Sequence, residues 1–193
     1  DSPLPSRITR QARALVVIDP APAVAPHPRV RGSRLAEPLV ELSAQDRAAL
    51  TMALRWRNAG TVHISVMGVG TPLSSSVLRE ALALGADDAF LVNLGARPVL
   101  AGDVAEFAAD LIRFQEDLHG PYDVILGAES SSGLLLPLAR RLGLEAVPSV
   151  ADAGLDATGA AAAFVARLAR PSATIAAQGP RVLLVAAERA AAE

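Results

Sequence analysis

The sequence has 193 residues, 51% of them hydrophobic, and a net charge of −2, enough chain for one domain with a substantial core. It contains no cysteine, which excludes disulfides, thiolate metal sites and cysteine nucleophiles. All 18 basic residues are arginine, so neither a P-loop lysine nor a Schiff-base lysine exists. Aromatic residues are only 3% and both signs of charge are scattered, which argues against a nucleic-acid-binding surface.

The first apolar run, residues 14–18, reads as a buried strand. Asp19 breaks it after five residues, too few for a signal-peptide core or for the roughly 18 that a membrane-spanning helix needs. The chain therefore reads as a cytoplasmic protein without membrane insertion. A proline-rich loop follows over 20–38, with Pro20, Pro22, Pro26, Pro28 and Pro38, and it can be neither a regular helix nor a central strand. Ser43 and Asp46 form a helix-capping pattern, and the helix runs to about Arg57. Residues 62–67 alternate as a strand, Gly68-Val69-Gly70 turns out of it, and Thr71 and Pro72 open the next helix. Val77, Leu78, Ala81, Leu82 and Leu84 are expected on its buried side, with Gly85 as its stop.

Residues 89–93 are the third strand. A helix capped by Asp103 and Glu106 is expected to bury Val104, Phe107, Ala108, Leu111 and Leu118 until Gly120-Pro121 ends it. A strand over 122–126 then leads through Gly127 and a serine run to a helix around 137–142, closed by Gly143. This alternation predicts a three-layer α/β fold, with a mostly parallel sheet and helices on both faces, of the Rossmann-like, adenine nucleotide alpha hydrolase-like type. After residue 145, runs at 146–150, 163–168, 173–177 and 182–185 read as strands that extend the sheet at an antiparallel edge, with 151–162 as a connection. Residues 1–193 are read as a single nucleotide-binding domain.

Ligands of such a sheet bind beyond the carboxyl ends of its strands. Four segments lie there: Asp19-Pro20, Met67 to Gly70, Asn93-Leu94-Gly95, and Gly127-Ala128-Glu129-Ser130-Ser131-Ser132-Gly133. The last combines glycines, hydroxyls and a following helix N-terminus, which suits a phosphate and equally suits an ordinary serine-rich helix cap. Gly68-Val69-Gly70 lacks the third small residue of a dinucleotide fingerprint, because Leu73 stands there. His27, His63 and His119 are far apart and unaccompanied at ligand spacing, and no Gly-x-Ser-x-Gly elbow occurs. No constellation points to an enzyme or to a metal site.

The order of the motifs resembles the β subunit of electron transfer flavoproteins. A helix ending in Ala81-Leu82-Ala83-Leu84-Gly85-Ala86-Asp87, a strand end Asp123-Val124-Ile125-Leu126-Gly127, and a helix with Pro137, Ala139, Leu142 and Gly143 occur in the family's order. The resemblance implies a heterodimer with a larger α subunit that carries FAD, passing electrons from a flavin dehydrogenase to a quinone-linked acceptor. It also implies a structural AMP in this chain, or a second FAD in bifurcating relatives. By position, the nucleotide residues would be Val17, Ile18, Ser43, Asp46, Met67, Gly68, Gly127, Ala128, Glu129, Ser130, Ser131, Ser132 and Gly133, and no catalytic residue is implied. A docking segment for the dehydrogenase would lie within 165–180, with Ile175 as an apolar anchor. The loop at 127–133 is shorter than the family's, and Glu129 stands where a glutamine is common. Two other readings share the fold: a free-standing adenine-nucleotide-binding module of the universal-stress type, and a scaffold subunit that holds no nucleotide.

Overall fold

The computed structural model describes residues 11–19, 30–31, 34–35, 41–59, 62–95, 101–156 and 162–186. The strands are β1 (Ala12–Ile18), β2 (Val30–Arg31), β3 (Arg34–Leu35), β4 (Val62–Gly70), β5 (Asp88–Asn93), β6 (Val124–Ala128), β7 (Glu145–Asp156), β8 (Ala163–Leu168), β9 (Ala173–Gln178) and β10 (Arg181–Val185). The helices are α1 (Ala44–Ala59), α2 (Ser75–Leu84), α3 (Ala101–His119) and α4 (Ser132–Leu142). Eight strands form one sheet in the order β5-β4-β1-β6-β10-β7-β8-β9, while β2 and β3 pair separately. Pairing is parallel from β5 through β7 and antiparallel between β7, β8 and β9. Most of the proline-rich loop lies outside the described residues.

Alternation along β1 divides the core in two. Ala14, Val16 and Ile18 join Leu50 and Ala53 of α1 and Val77 and Ala81 of α2 on one face. Leu15 and Val17 join Ala105 and Ile112 of α3 and Leu135 and Leu138 of α4 on the other. This is the expected three-layer arrangement. The antiparallel edge beyond residue 145 is present as well, but β10 does not extend it. It returns to the middle of the sheet, parallel between β6 and β7.

Two aspartates hold the parallel register by the same device. Asp123 precedes β6; its backbone N–H donates to the Arg13 carbonyl (2.8 Å) and its carboxylate accepts from the Arg13 N–H (2.9 Å). Asp87 precedes β5 and makes the same pair of bonds with Ile64 of β4, both 2.8 Å. Each bond satisfies a backbone group at a strand start, where the ladder would leave it open. Gly85 makes the second latch possible. It ends α2 at φ 120°, donating to the Ala81 and Leu82 carbonyls, so the chain turns at once into Asp87. Arg57 adds an ion pair to that carboxylate at 3.2 Å.

Several local expectations differ from the structure. Pro72 begins a single 3₁₀ turn over Pro72–Ser74, and α2 starts only at Ser75. Leu82 and Leu84 are exposed, as are Phe107 and Leu118 of α3, because only one flank of each apolar stripe reaches the sheet. Helix α4 begins five residues before Pro137, at Ser132. Strand β7 continues to Asp156 through part of the expected connection.

Two of the three glycines expected near a ligand, Gly68 and Gly127, admit the protein's own helices. A Cβ on Gly127 would stand 2.6 Å from Leu135 Cδ1 and 3.2 Å from the Val17 carbonyl oxygen, and one on Gly68 3.0 Å from Leu78. Gly133 has nothing within 4 Å. Gly127→Ala is therefore expected to lower unfolding free energy by about 1–3 kcal/mol through overpacking, whereas Gly133→Ala, inside a helix, should raise it by up to about 1 kcal/mol. Urea denaturation of the two variants checks the contrast. By the same method, Asp123→Ala should cost about 1–3 kcal/mol for the orphaned Arg13 N–H, while Asp123→Asn, which keeps an acceptor, should lose clearly less.

Candidate functional site

The carboxyl ends of β1, β4 and β6 form the edge on which the site is built. Met67, Val17 and Gly127 stand side by side across these strands, and Ile18 pairs with Gly68. Val17, Ile18 and Met67 are fully buried in the core, so they can offer a ligand only backbone. The 3₁₀ turn Glu129–Ser131 carries the chain from β6 into α4. Ala128 and Ser131 are buried, Glu129 and Ser132 half-buried, and Ser130 and Gly133 exposed. No side chain caps α4, and the Ser132 N–H at its start donates to the Glu129 carbonyl within the preceding turn.

Helix α1 supplies the opposite wall. Ser43 caps it: its Oγ accepts from the Asp46 N–H at 3.0 Å and donates to Asp46 Oδ2 at 2.7 Å. A capping box normally returns the third side chain to the cap's backbone; here the Asp46 carboxyl accepts a hydrogen bond from the cap's hydroxyl instead. The two walls meet where the Ser130 N–H donates to Gln45 Oε1 at 3.3 Å. The segment around Ser43 and Asp46 and the segment after Gly127 thus adjoin.

Acidic groups dominate this edge. Asp46 is 1% exposed, and its Oδ1 has no hydrogen-bond partner among the described residues. Burial pushes its pKa up to about 6, opposed by the Ser43 hydrogen bond and reinforced by the charge of Asp19. Desolvation raises Asp19 too. Glu129 is held by the Ser149 hydroxyl, which donates to its Oε1 at 2.6 Å.

Ser149 itself has φ 55°, a left-handed conformation that costs a non-glycine residue about 1 kcal/mol or more. It sits in β7 where the register with β10 shifts, and its carbonyl accepts from the Ala169 N–H at 2.6 Å. The Gln45 and Ser149 side chains have roles that the sequence does not display. Gln45 falls inside the 43–46 segment implied as a nucleotide loop without a role of its own, and nothing in the sequence marks Ser149, because its role depends on pairing between distant strands.

Elsewhere, His63 hydrogen-bonds Asp88 at 2.8 Å, and no group of metal-ligating side chains occurs among the described residues. No described helix is long and apolar enough to cross a membrane. The docking segment expected within 165–180 forms the β8–β9 hairpin, with Ile175 37% exposed.

The raised Asp46 pKa has a definite sign. The folded state holds the proton more tightly than the unfolded chain, so this group's contribution is complete below its ordinary value of 3.8 and is lost as pH rises through about 6. Asp46→Asn should remove that loss. Its stability relative to the parent should rise by about 1–3 kcal/mol between about pH 4 and about pH 7, measured by denaturation at both values.

No curated protein matches the sequence. The model of the electron transfer flavoprotein domain family matches residues 39–191, most of the chain, including both latch aspartates, Asp87 and Asp123, and the whole serine loop, while Arg13 of β1 precedes the matched stretch. The chain belongs to the electron transfer flavoprotein domain family.

Proposed function

We propose that this chain is a β-type subunit of an electron transfer flavoprotein, acting in the cytoplasm as the non-catalytic partner of an FAD-bearing α subunit. Electrons pass from a flavin dehydrogenase to the α-subunit FAD and on to a quinone-linked acceptor, while this chain supports the flavin subunit and docks its donor. The observation that carries this reading is the family match over residues 39–191. The latch residues give it added weight: Asp87 and Asp123 belong to the motifs that resemble the β subunit. The exposed strand β9 of the β8–β9 hairpin, with Ile175 on its surface, is the proposed dehydrogenase contact.

The same edge is the proposed nucleotide site. Its residues fit an AMP in part. The uncapped start of α4 and the hydroxyls of Ser130 and Ser132 suit a phosphate. Asp19, Asp46 and Glu129 oppose it, since like charges repel more strongly where water is partly excluded. The Ser149 bond to Glu129 disperses part of that charge, and protonation of Asp46 removes its share only below about pH 6. We therefore propose a weakly held AMP, with the flavin on the partner. The Gln45–Ser130 link favours a second reading, a scaffold subunit that holds no nucleotide, because the chain itself already occupies one loop amide.

Co-expression with an FAD-bearing α subunit of the family tests the assignment. A stable one-to-one complex with a visible flavin band is expected, and persistent failure to associate would overturn it. For the nucleotide, calorimetric titration of the chain with AMP should show affinity about tenfold tighter in Glu129→Gln than in the parent. If neither protein binds AMP, the scaffold reading stands instead.

A further inference from the structure

Helix α3 leaves an apolar stripe uncovered. Phe107, Phe114 and Leu118 are 58%, 55% and 59% exposed, and Leu111 between them is only partly buried against the core. Their spacing of four, three and four residues is that of a seam between paired helices. Three large side chains aligned along one helix differ from scattered surface apolar residues.

The charges beside the stripe identify what fits it. Asp103, Asp110 and Asp117 recur every seven residues along one flank, all exposed. Asp110 is paired with Arg113 at 3.1 Å. Asp103 and Asp117 make no ion pair among the described residues. The opposite flank carries no charge: Ala108 is buried against the sheet and Gln115 is half-buried. A second copy packed antiparallel would set the aspartate row against itself; packed parallel, it would meet no base. An anionic membrane surface is repelled by the same row.

We propose that the α3 stripe docks an amphipathic helix of a partner protein, one whose apolar seam is edged by arginine or lysine. Phe107, Phe114 and Leu118 enter that seam, and Asp103 and Asp117 meet its basic edge. The site lies on a different helix from the nucleotide edge and does not rest on nucleotide binding.

The test uses the full chain and two synthetic helical peptides of about three heptads, both with leucine seams. One is edged by lysine and the other by glutamate. The lysine peptide should bind at least about tenfold more tightly than the glutamate peptide. Asp103→Asn combined with Asp110→Asn and Asp117→Asn should erase that preference. Phe107→Ser with Phe114→Ser should weaken binding of the lysine peptide about tenfold or more. All five positions are exposed, and circular dichroism confirms that the variants fold. Equal binding of both peptides, or a preference unchanged in the variants, would overturn the proposal. So would a homodimer abolished by Phe114→Ser, or binding of phosphatidylglycerol vesicles as tight as that of the lysine peptide.

Discussion

Two carboxylates placed one residue ahead of a strand hold the sheet in register, and every other feature depends on that register. Parallel strands cannot be set by a tight turn, because each connection must carry the chain back along the sheet, through a helix everywhere but between β7 and β10. Asp87 and Asp123 supply a local constraint in place of a turn. Each gives and receives a backbone-directed hydrogen bond at the first residues of its neighbour, Ile64 or Arg13. Slipping either strand by one residue would break both bonds and exchange the side chains packed into the two cores. The latches lie at the amino ends of the strands, so the opposite ends, where loops diverge, are free to form a site.

What stands at those free ends is unusual for an anion site. The backbone has the expected form, a short turn into an uncapped helix. Yet the side chains are acidic, and the space beside Gly127 is filled by Leu135. Asp46 tolerates its burial by keeping its proton to about pH 6, and Glu129 by accepting the Ser149 hydroxyl. An edge so arranged is self-sufficient. It suits a subunit that supports a cofactor held mainly by another chain.

The layers were legible in the sequence because their periodicities contrast sharply: β1 as an apolar run, β4 as an alternation, α1 from its Ser43 cap, α2 from its Gly85 stop. The β8 bounds agree with the alternation of Phe164, Ala166 and Leu168. What could not be read was any feature decided by pairing at a distance. The return of β10 to the sheet centre, the strain at Ser149 and the Gln45–Ser130 link all belong to that class. Periodicity also overstated burial. Phe107 and Leu118 lie on an apolar stripe, but α3 rests on the sheet through Ala105, Ala108, Ala109 and Ile112, small residues that bring the helix close and leave the larger ones outside. Gly68 and Gly127 carried a true signal of close approach, though it was a helix side chain that approached.

The central claim is that this chain couples a donor to a flavin carried elsewhere. The most direct measurement is reduction of the α-subunit FAD by its flavin dehydrogenase, followed by flavin absorbance, with and without this chain. The account predicts rapid reduction only when the chain is present, and no flavin on the chain when it is separated from the complex. Equal reduction in its absence would contradict it.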